Sequence, residues 1–559
     1  MSDPSPSHDD MKRCLALASL GLFLCLPMII WQKLPQTDAR NYYIPMIQAF
    51  ASGNWDHAYW PMIPPLFPTF SGILATLLPL SAFTAAKVAS SLFFAGTVFP
   101  LYFLTTRVFK NTRVATGAVV LYLFCDRLLR YGAAGILDSG KIFFFTCSVF
   151  FLIASIRERT VLRTVFFSLS LAGLSLIRGE GIAIAAVLGG IFLLFELRGN
   201  QNAFTSFFRR SIPLQSVFVL ALTAALLSPW LFYQFKHVGY PVVDSRQVGF
   251  LPFKQVLKNK RALSLPRESA EIKAFRAVPK ELSAVPRPSP AEKNKATLWN
   301  RLFEQIFKGF YPLYLLLYVP VIVQRIRKRQ WTGPESLLLF LGVAHTLILI
   351  ISLGGTWVQK RYVIAALPLF LGWAAMGYFR VWDKVNETMK NSRLRLLPKC
   401  IVGAVILGML WSATSRIRPP SKESKTQWLL LNERCVRWLA ANSSTYQLPD
   451  FPALKSDQGT YHSGQLPTII GGIDLPVFKT HAETVSPGSY RKHYTPDQFV
   501  RLCELKRVQF IVVDKTLTGL GVDLPQLLGR PEFVLLTSLQ VGEQSAAILG
   551  FRKHLKSVD

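Results

Sequence analysis

Residues 62–80, MIPPLFPTFSGILATLLPL, decide how the chain is threaded. A helix crosses the hydrocarbon with roughly 20 apolar residues, so the run is long enough to count as a span. It also carries Pro64, Pro65, Pro68 and Pro79. Proline removes a backbone donor, and lipid offers no partner for the carbonyl left over. The segment therefore reads as interfacial or re-entrant.

Charge agrees with that reading. If 62–80 does not cross, the basic loops all face the cytoplasm: Arg107, Lys110 and Arg113; Arg157, Arg159 and Arg163; Arg198, Arg209 and Arg210; Arg325, Arg327, Lys328 and Arg329; and 380–399. If it crosses, all of them move outside, against the positive-inside rule. Eleven spans are then predicted: 14–32, 84–106, 114–131, 140–156, 161–177, 180–197, 213–233, 303–324, 335–353, 362–380 and 398–415. The N-terminus is expected in the cytoplasm and the C-terminal part outside it.

Composition points the same way. The chain has 559 residues, 51% hydrophobic and only 17% charged, against about 25% charged in soluble proteins. This fits a polytopic α-helical membrane protein and excludes a purely soluble enzyme. The charge balance, 63 − 32 = +31, follows the cytoplasmic loops and forms no compact basic module, so no nucleic-acid partner is expected. The first apolar run ends in MIIWQKLPQTD, without a small-residue cleavage site, and is expected to stay as an anchor. The setting expected is a plasma membrane, most simply a bacterial inner membrane. Among seven cysteines no metal spacing occurs, and no metal or cofactor is expected.

The organisation expected is a short cytoplasmic tail, 1–13, a membrane domain, 14–415, and a small extracytoplasmic α/β domain, 416–559. Within the tail, NERCVRWLAANS (432–443) has helical spacing. VQFIVVD (508–514), EFVLLTSLQ (532–540) and SAAILGF (545–551) read as short buried strands. The outer surfaces of interest are the first loop, 33–83, and a long loop, 234–302, with seven prolines and fourteen Lys or Arg. An irregular loop of that length is the size of a functional cover.

Charges at the outer mouth of a bundle are costly to bury and are therefore the first candidates for chemistry. Asp38 follows span one by six residues and can either activate an acceptor or cap an interfacial helix. Asp138, in GAAGILDSGKIFFF, opens span four, again as a cap or as a working carboxylate. SLIRGEGIAI sets Arg178 and Glu180 in a tight turn between spans five and six, as an ion pair or as substrate ligands. Gly179 and Gly181 supply that turn's flexibility. Lys360 and Arg361 lie at the outer end of span ten, against the positive-inside trend, either as phosphate ligands or as interface anchors that snorkel. Lys87 and His345 are the nearest exceptions to otherwise uncharged span centres.

The order of these pieces resembles the C-type glycosyltransferases (GT-C), in the branch of protein O-mannosyltransferases and lipid A aminoarabinose transferases. The matching pieces are TDARNYYIPMIQAFASGNW after span one, PPLFP before span two, and LDSGKIFFF at span four. LIRGEG resembles the family's Arg-Pro-Glu-Gly turn, and KRYVIAALPLF its Arg-Tyr…Pro segment. The resemblance covers about 13–415. It implies an inverting transfer of a sugar from a polyprenyl-phosphate donor to a lipid, glycan or protein acceptor, with membrane lipids around it. Asp38 and Asp138 match its acidic residues, and Lys360 and Arg361 match positions near the lipid phosphate. Tyr42, Tyr43, Arg178, Glu180 and Tyr362 would line the substrate cavity. The chain departs from the pattern at Ala39, where a second acidic residue is common, and at Ile63, where Lys or His precedes Pro-Pro-Leu. Arg40 or His57 would then take up phosphate contact. The alternative from another class is a secondary transporter or lipid flippase.

Overall fold

The computed structural model describes residues 7–32, 39–60, 63–158, 160–198, 214–238, 295–310, 312–352, 360–389, 435, 468–471, 483–485, 496–505, 510–514, 524–541 and 544–552. The chain divides into two compact units, one within 1–265 and 293–418, the other within 266–292 and 419–559.

The first unit is helical. Its first half runs α1 (His8–Trp31), a π-helical turn (Ala39–Tyr43), α2 (Ile44–Ala51), α3 (Trp55–Ala58), α4 (Leu66–Leu77), α5 (Ala82–Gly96), α6 (Val98–Phe109) and α7 (Thr112–Leu123). Then come α8 (Asp126–Ala133), α9 (Asp138–Glu158), α10 (Val161–Ile177), α11 (Gly181–Arg198) and α12 (Leu214–Val238). Further along the chain follow α13 (Lys295–Gly309), α14 (Pro312–Arg327), α15 (Gly333–Ser352), α16 (Lys360–Val363), a 3-10 segment (Ile364–Phe370) and α17 (Leu371–Met389).

Helix starts are encoded locally. Ser7 accepts from the Asp10 N–H at 3.1 Å, Ser81 from Thr84 at 3.3 Å, and Asn111 from Val114 at 3.1 Å. Each satisfies a donor that the first helical turn leaves over. At α15 the Glu335 carboxylate reaches back to the Thr332 N–H at 3.0 Å, the acidic half of a capping box.

Among the described residues, five runs are long and apolar enough to cross a membrane: α1, α5 with α6, α9, α12, and the run Arg361–Thr388. The bent pair α13–α14 makes a sixth if taken as one span. α1 has a mean hydropathy of 2.3 over a window only 28% buried in the protein. Leu15, Leu22, Phe23, Leu26 and Ile30 stand exposed along it. Apolar surface of that extent on an apolar helix belongs against lipid. The chain is an integral membrane protein.

Two expected spans are broken. The stretch 114–131 ends its first helix at Leu123, because Cys125 is extended (φ −69°, ψ 110°) and α8 begins anew. The stretch 303–324 bends by 84° between α13 and α14, where Pro312 opens the second helix with the fixed φ suited to a first turn. The proline-rich stretch 62–80 forms α4, of twelve residues. Such a helix rises about 18 Å, short of a bilayer core of about 30 Å. The expected span 398–415 lies outside the described residues.

α5 occupies the middle of the first half, packed against α1, α4, α8 and α9, while α9 packs along α10. Cys14, Cys25, Cys125, Cys147 and Cys503 are buried free thiols.

The second unit holds a five-stranded sheet in the order β2-β1-β3-β5-β4. Its strands are β1 (Thr468–Gly471), β2 (Glu483–Val485), β3 (Phe510–Asp514), β4 (Phe533–Val541) and β5 (Gln544–Phe551). β1 lies parallel to β2 and β3, whereas β5 runs antiparallel to β3 and β4. The segments 508–514, 532–540 and 545–551 thus supply its three C-terminal strands. Helices α18 (Pro496–Leu505) and α19 (Leu524–Leu528) accompany the sheet, and Phe499 and Cys503 of α18 are fully buried.

Candidate functional site

Four charged side chains meet where α9 begins and α10 hands over to α11. Asp138 is the first residue of α9, and Lys141 lies one turn further along the same face. α10 stops at Ile177 because Arg178 turns extended (φ −158°, ψ 137°). Glu180 then precedes α11 directly. Asp138, Lys141 and Glu180 are buried, to 3%, 0% and 2% exposure, and Arg178 is partly buried beside them.

Arg178 spans both carboxylates. Its Nη1 donates to Asp138 Oδ1 at 2.8 Å, and its Nε lies 2.5 Å from Glu180 Oε1. Lys141 Nζ donates to the same Glu180 oxygen at 3.1 Å. Burial works against the Arg178 cation, yet Glu180 and Asp138 prevail and raise it above the ordinary guanidinium range.

A second guanidinium joins through an aromatic ring. Arg178 Cζ lies 4.2 Å from the Tyr362 ring centroid, and Arg361 Cζ lies 5.0 Å from it. Arg361 also donates to the Tyr362 hydroxyl at 3.1 Å. The two guanidiniums thus share the Tyr362 ring, one of them held by the carboxylates of Asp138 and Glu180.

Gly181 makes the turn by packing. Its φ is not positive, since among the described residues the positive-φ glycines are Gly53 and Gly135. A Cβ at Gly181 would stand 2.0 Å from the Leu174 carbonyl oxygen. The expectation of flexibility at Gly181 is therefore corrected: only a residue without a side chain lets α11 start so close to α10.

The structure brings together Asp138, Arg178, Glu180, Arg361 and Tyr362 from the expected set. Tyr43, 8% exposed, lies within electrostatic reach of Arg178. Tyr42 pairs with Trp60, ring centroids 5.5 Å apart. Tyr362 is fully buried, so as the site stands it backs the arginines and does not line an open cavity. Asp138 reads as an ion-pair partner and not as a helix cap, because its carboxylate is turned to Arg178. Asp38 lies outside the described residues, as do the side chains of Arg40, His57 and Lys360.

Sequence reasoning missed Lys141. The signal was present, for Asp138 and Lys141 are three apart and so share a face of any helix that starts there. His345, noted only as an exception, is 1% exposed and tilts over Phe145 at 5.0 Å between ring centroids.

Solved structures similar to this chain are membrane glycosyltransferases. ArnT from Cupriavidus metallidurans in the apo state matches with a TM-score of 0.53 at 13% identity, covering 98% of this chain and 99% of that one. The same protein bound to undecaprenyl phosphate matches with a TM-score of 0.50, also at 13% identity, covering 98% of each chain. The arabinofuranosyltransferase AftD from Mycobacteria matches at 0.50 and 12% identity, over all of this chain and 42% of its own. No protein-family model matches the sequence, and no curated protein matches it. The chain has the fold of the GT-C glycosyltransferases.

Proposed function

We propose that this protein is an inverting glycosyltransferase that takes a sugar from a polyprenyl-phosphate donor and passes it to a lipid, glycan or protein acceptor outside the cytoplasm. The threading that goes with this reading has eleven crossings, a cytoplasmic N-terminus and an extracytoplasmic C-terminal domain, in a bacterial inner membrane. The single observation that carries it is the Asp138–Arg178–Glu180–Lys141 cluster, extended through the Tyr362 ring to the guanidinium of Arg361. A similar fold binds undecaprenyl phosphate, which supports a lipid phosphate as the anion.

In this reading Arg361, with Lys360, Arg40 and His57 from neighbouring segments, stabilises the departing phosphate. A glycosyl phosphate already carries a good leaving group, so cationic contacts suffice to draw charge away from the breaking bond. Asp38 takes the proton from the acceptor as it attacks the opposite face of the sugar, which inverts the anomeric carbon. Asp138 acts through Arg178, fixing the guanidinium that in turn backs Tyr362 and Arg361.

The test is donor consumption by purified protein with synthetic polyprenyl-phosphate sugars, wild type beside Asp38→Asn. Consumption by wild type that vanishes in a folded Asp38→Asn supports both the class and the base. Equal consumption in both removes Asp38 from that role. Lipid movement across vesicles without any sugar transfer favours a flippase.

A further inference from the structure

One face of α5 carries three polar residues at helical spacing, Lys87, Ser90 and Ser91, all buried to 4% exposure or less. Buried polar groups on an otherwise apolar helix are expensive unless each finds a partner. All three find theirs on backbone carbonyls of other segments. Lys87 Nζ donates to Ile29 O at 2.5 Å and to Gln32 O at 3.1 Å. These are carbonyls at the end of α1, where a cation also meets the negative end of the helix dipole. Ser90 Oγ donates to Ile136 O at 2.9 Å. Ser91 Oγ lies 2.9 Å from Gly132 O and 2.9 Å from Lys87 O, sharing one proton between them.

The carbonyls that the serines hold are those a helix cannot satisfy for itself. Gly132 belongs to the last turn of α8, whose final carbonyls lack intrahelical donors, and Ile136 lies in the turn that leads into α9. Gly135, between them, is left-handed (φ +68°). A Cβ there would sit 3.3 Å from Phe83, 3.4 Å from Ala86 and 3.5 Å from the Lys87 stem. α5 therefore grips the turn on both sides of its one unusual residue. Two residues beyond Ile136 comes Asp138, whose carboxylate meets Arg178.

We infer that the Lys87–Ser90–Ser91 face of α5 is a clamp that positions Asp138 for Arg178 and registers the end of α1 against the same turn. These are positioning residues for the transfer reaction, and their role in turnover rests on the transferase reading above. Their effect passes through the turn at 132–137, so it is separable from general stability.

The test uses the full chain in lipid nanodiscs, comparing wild type, Ser90→Ala/Ser91→Ala and Lys87→Met. Amide hydrogen exchange across 132–137 is expected to quicken at least about tenfold in the serine variant, with the amides of α10 unchanged. Turnover of a polyprenyl-phosphate sugar is expected to fall at least about tenfold with donor KM held within about twofold, as for a group misplaced and not unbound. In an Asp138→Asn background the serine substitutions are expected to cost nothing further. Unchanged exchange at 132–137 would overturn the clamp, and so would an equal loss of turnover in both backgrounds. Wild type that transfers no sugar overturns the transferase reading instead, and exchange at 132–137 then decides the clamp alone.

Discussion

Arg178 donates to the Asp138 carboxylate across 2.8 Å, joining residues 40 positions apart in the chain. The bond ties the start of α9 to the turn that closes α10, and the same guanidinium reaches Glu180. Arg178→Lys keeps the charge but not the two-sided reach of a planar guanidinium. The expected outcome is a lower melting temperature in detergent and a loss of sugar transfer on the order of 100-fold. Thermal scans and donor consumption on the same preparation check both.

Lys141 and Glu180 are each buried, and the ammonium sits 3.1 Å from the carboxylate. Lys141→Met alone leaves Glu180 to Arg178 and is expected to destabilise the protein clearly. Lys141→Met/Glu180→Gln removes one charge of each sign and should cost less than the two single variants summed. A coupling of about 1–3 kcal/mol in a double-mutant cycle of unfolding free energies is the expected reading.

Two glycines in or beside α11 make a matched pair. A Cβ at Gly181 would stand 2.0 Å from the Leu174 carbonyl oxygen, whereas at Gly190 it would meet nothing within 4 Å. Gly181→Ala must push α11 off α10 and is expected to lower stability and transfer together. Gly190→Ala adds helix propensity of up to about 1 kcal/mol and should leave transfer unchanged. Melting and donor consumption of both variants read the contrast.

Much of the fold was legible because run length and apolar content are properties of single segments. α9 and α10 fall close to where hydrophobicity alone puts them. The breaks were less legible. Cys125 carries no turn signal, and its extended backbone is imposed by how α7 and α8 pack. The site was half legible. Asp138, Arg178 and Glu180 stood out as charges where charge is costly, but their pairing crosses between helices and leaves no trace in local spacing. Lys141 looked like part of an apolar helix start, and only the approach of Glu180 shows what it is for. Arg361 stood out by violating the positive-inside trend, while its link to Arg178 through the Tyr362 ring is purely tertiary.

Lys141 is synthesised 39 residues before Glu180. When α9 first emerges, only Asp138, one turn away, is at hand to offset its cation, and a poorly compensated charge in an apolar surrounding is costly. The expected order of assembly is therefore that α9 takes its final seat once α10 and the following turn have been made and Glu180 stands beside Lys141. Substitutions at Glu180 should then show first as chains that never mature, before any effect on catalysis can be read.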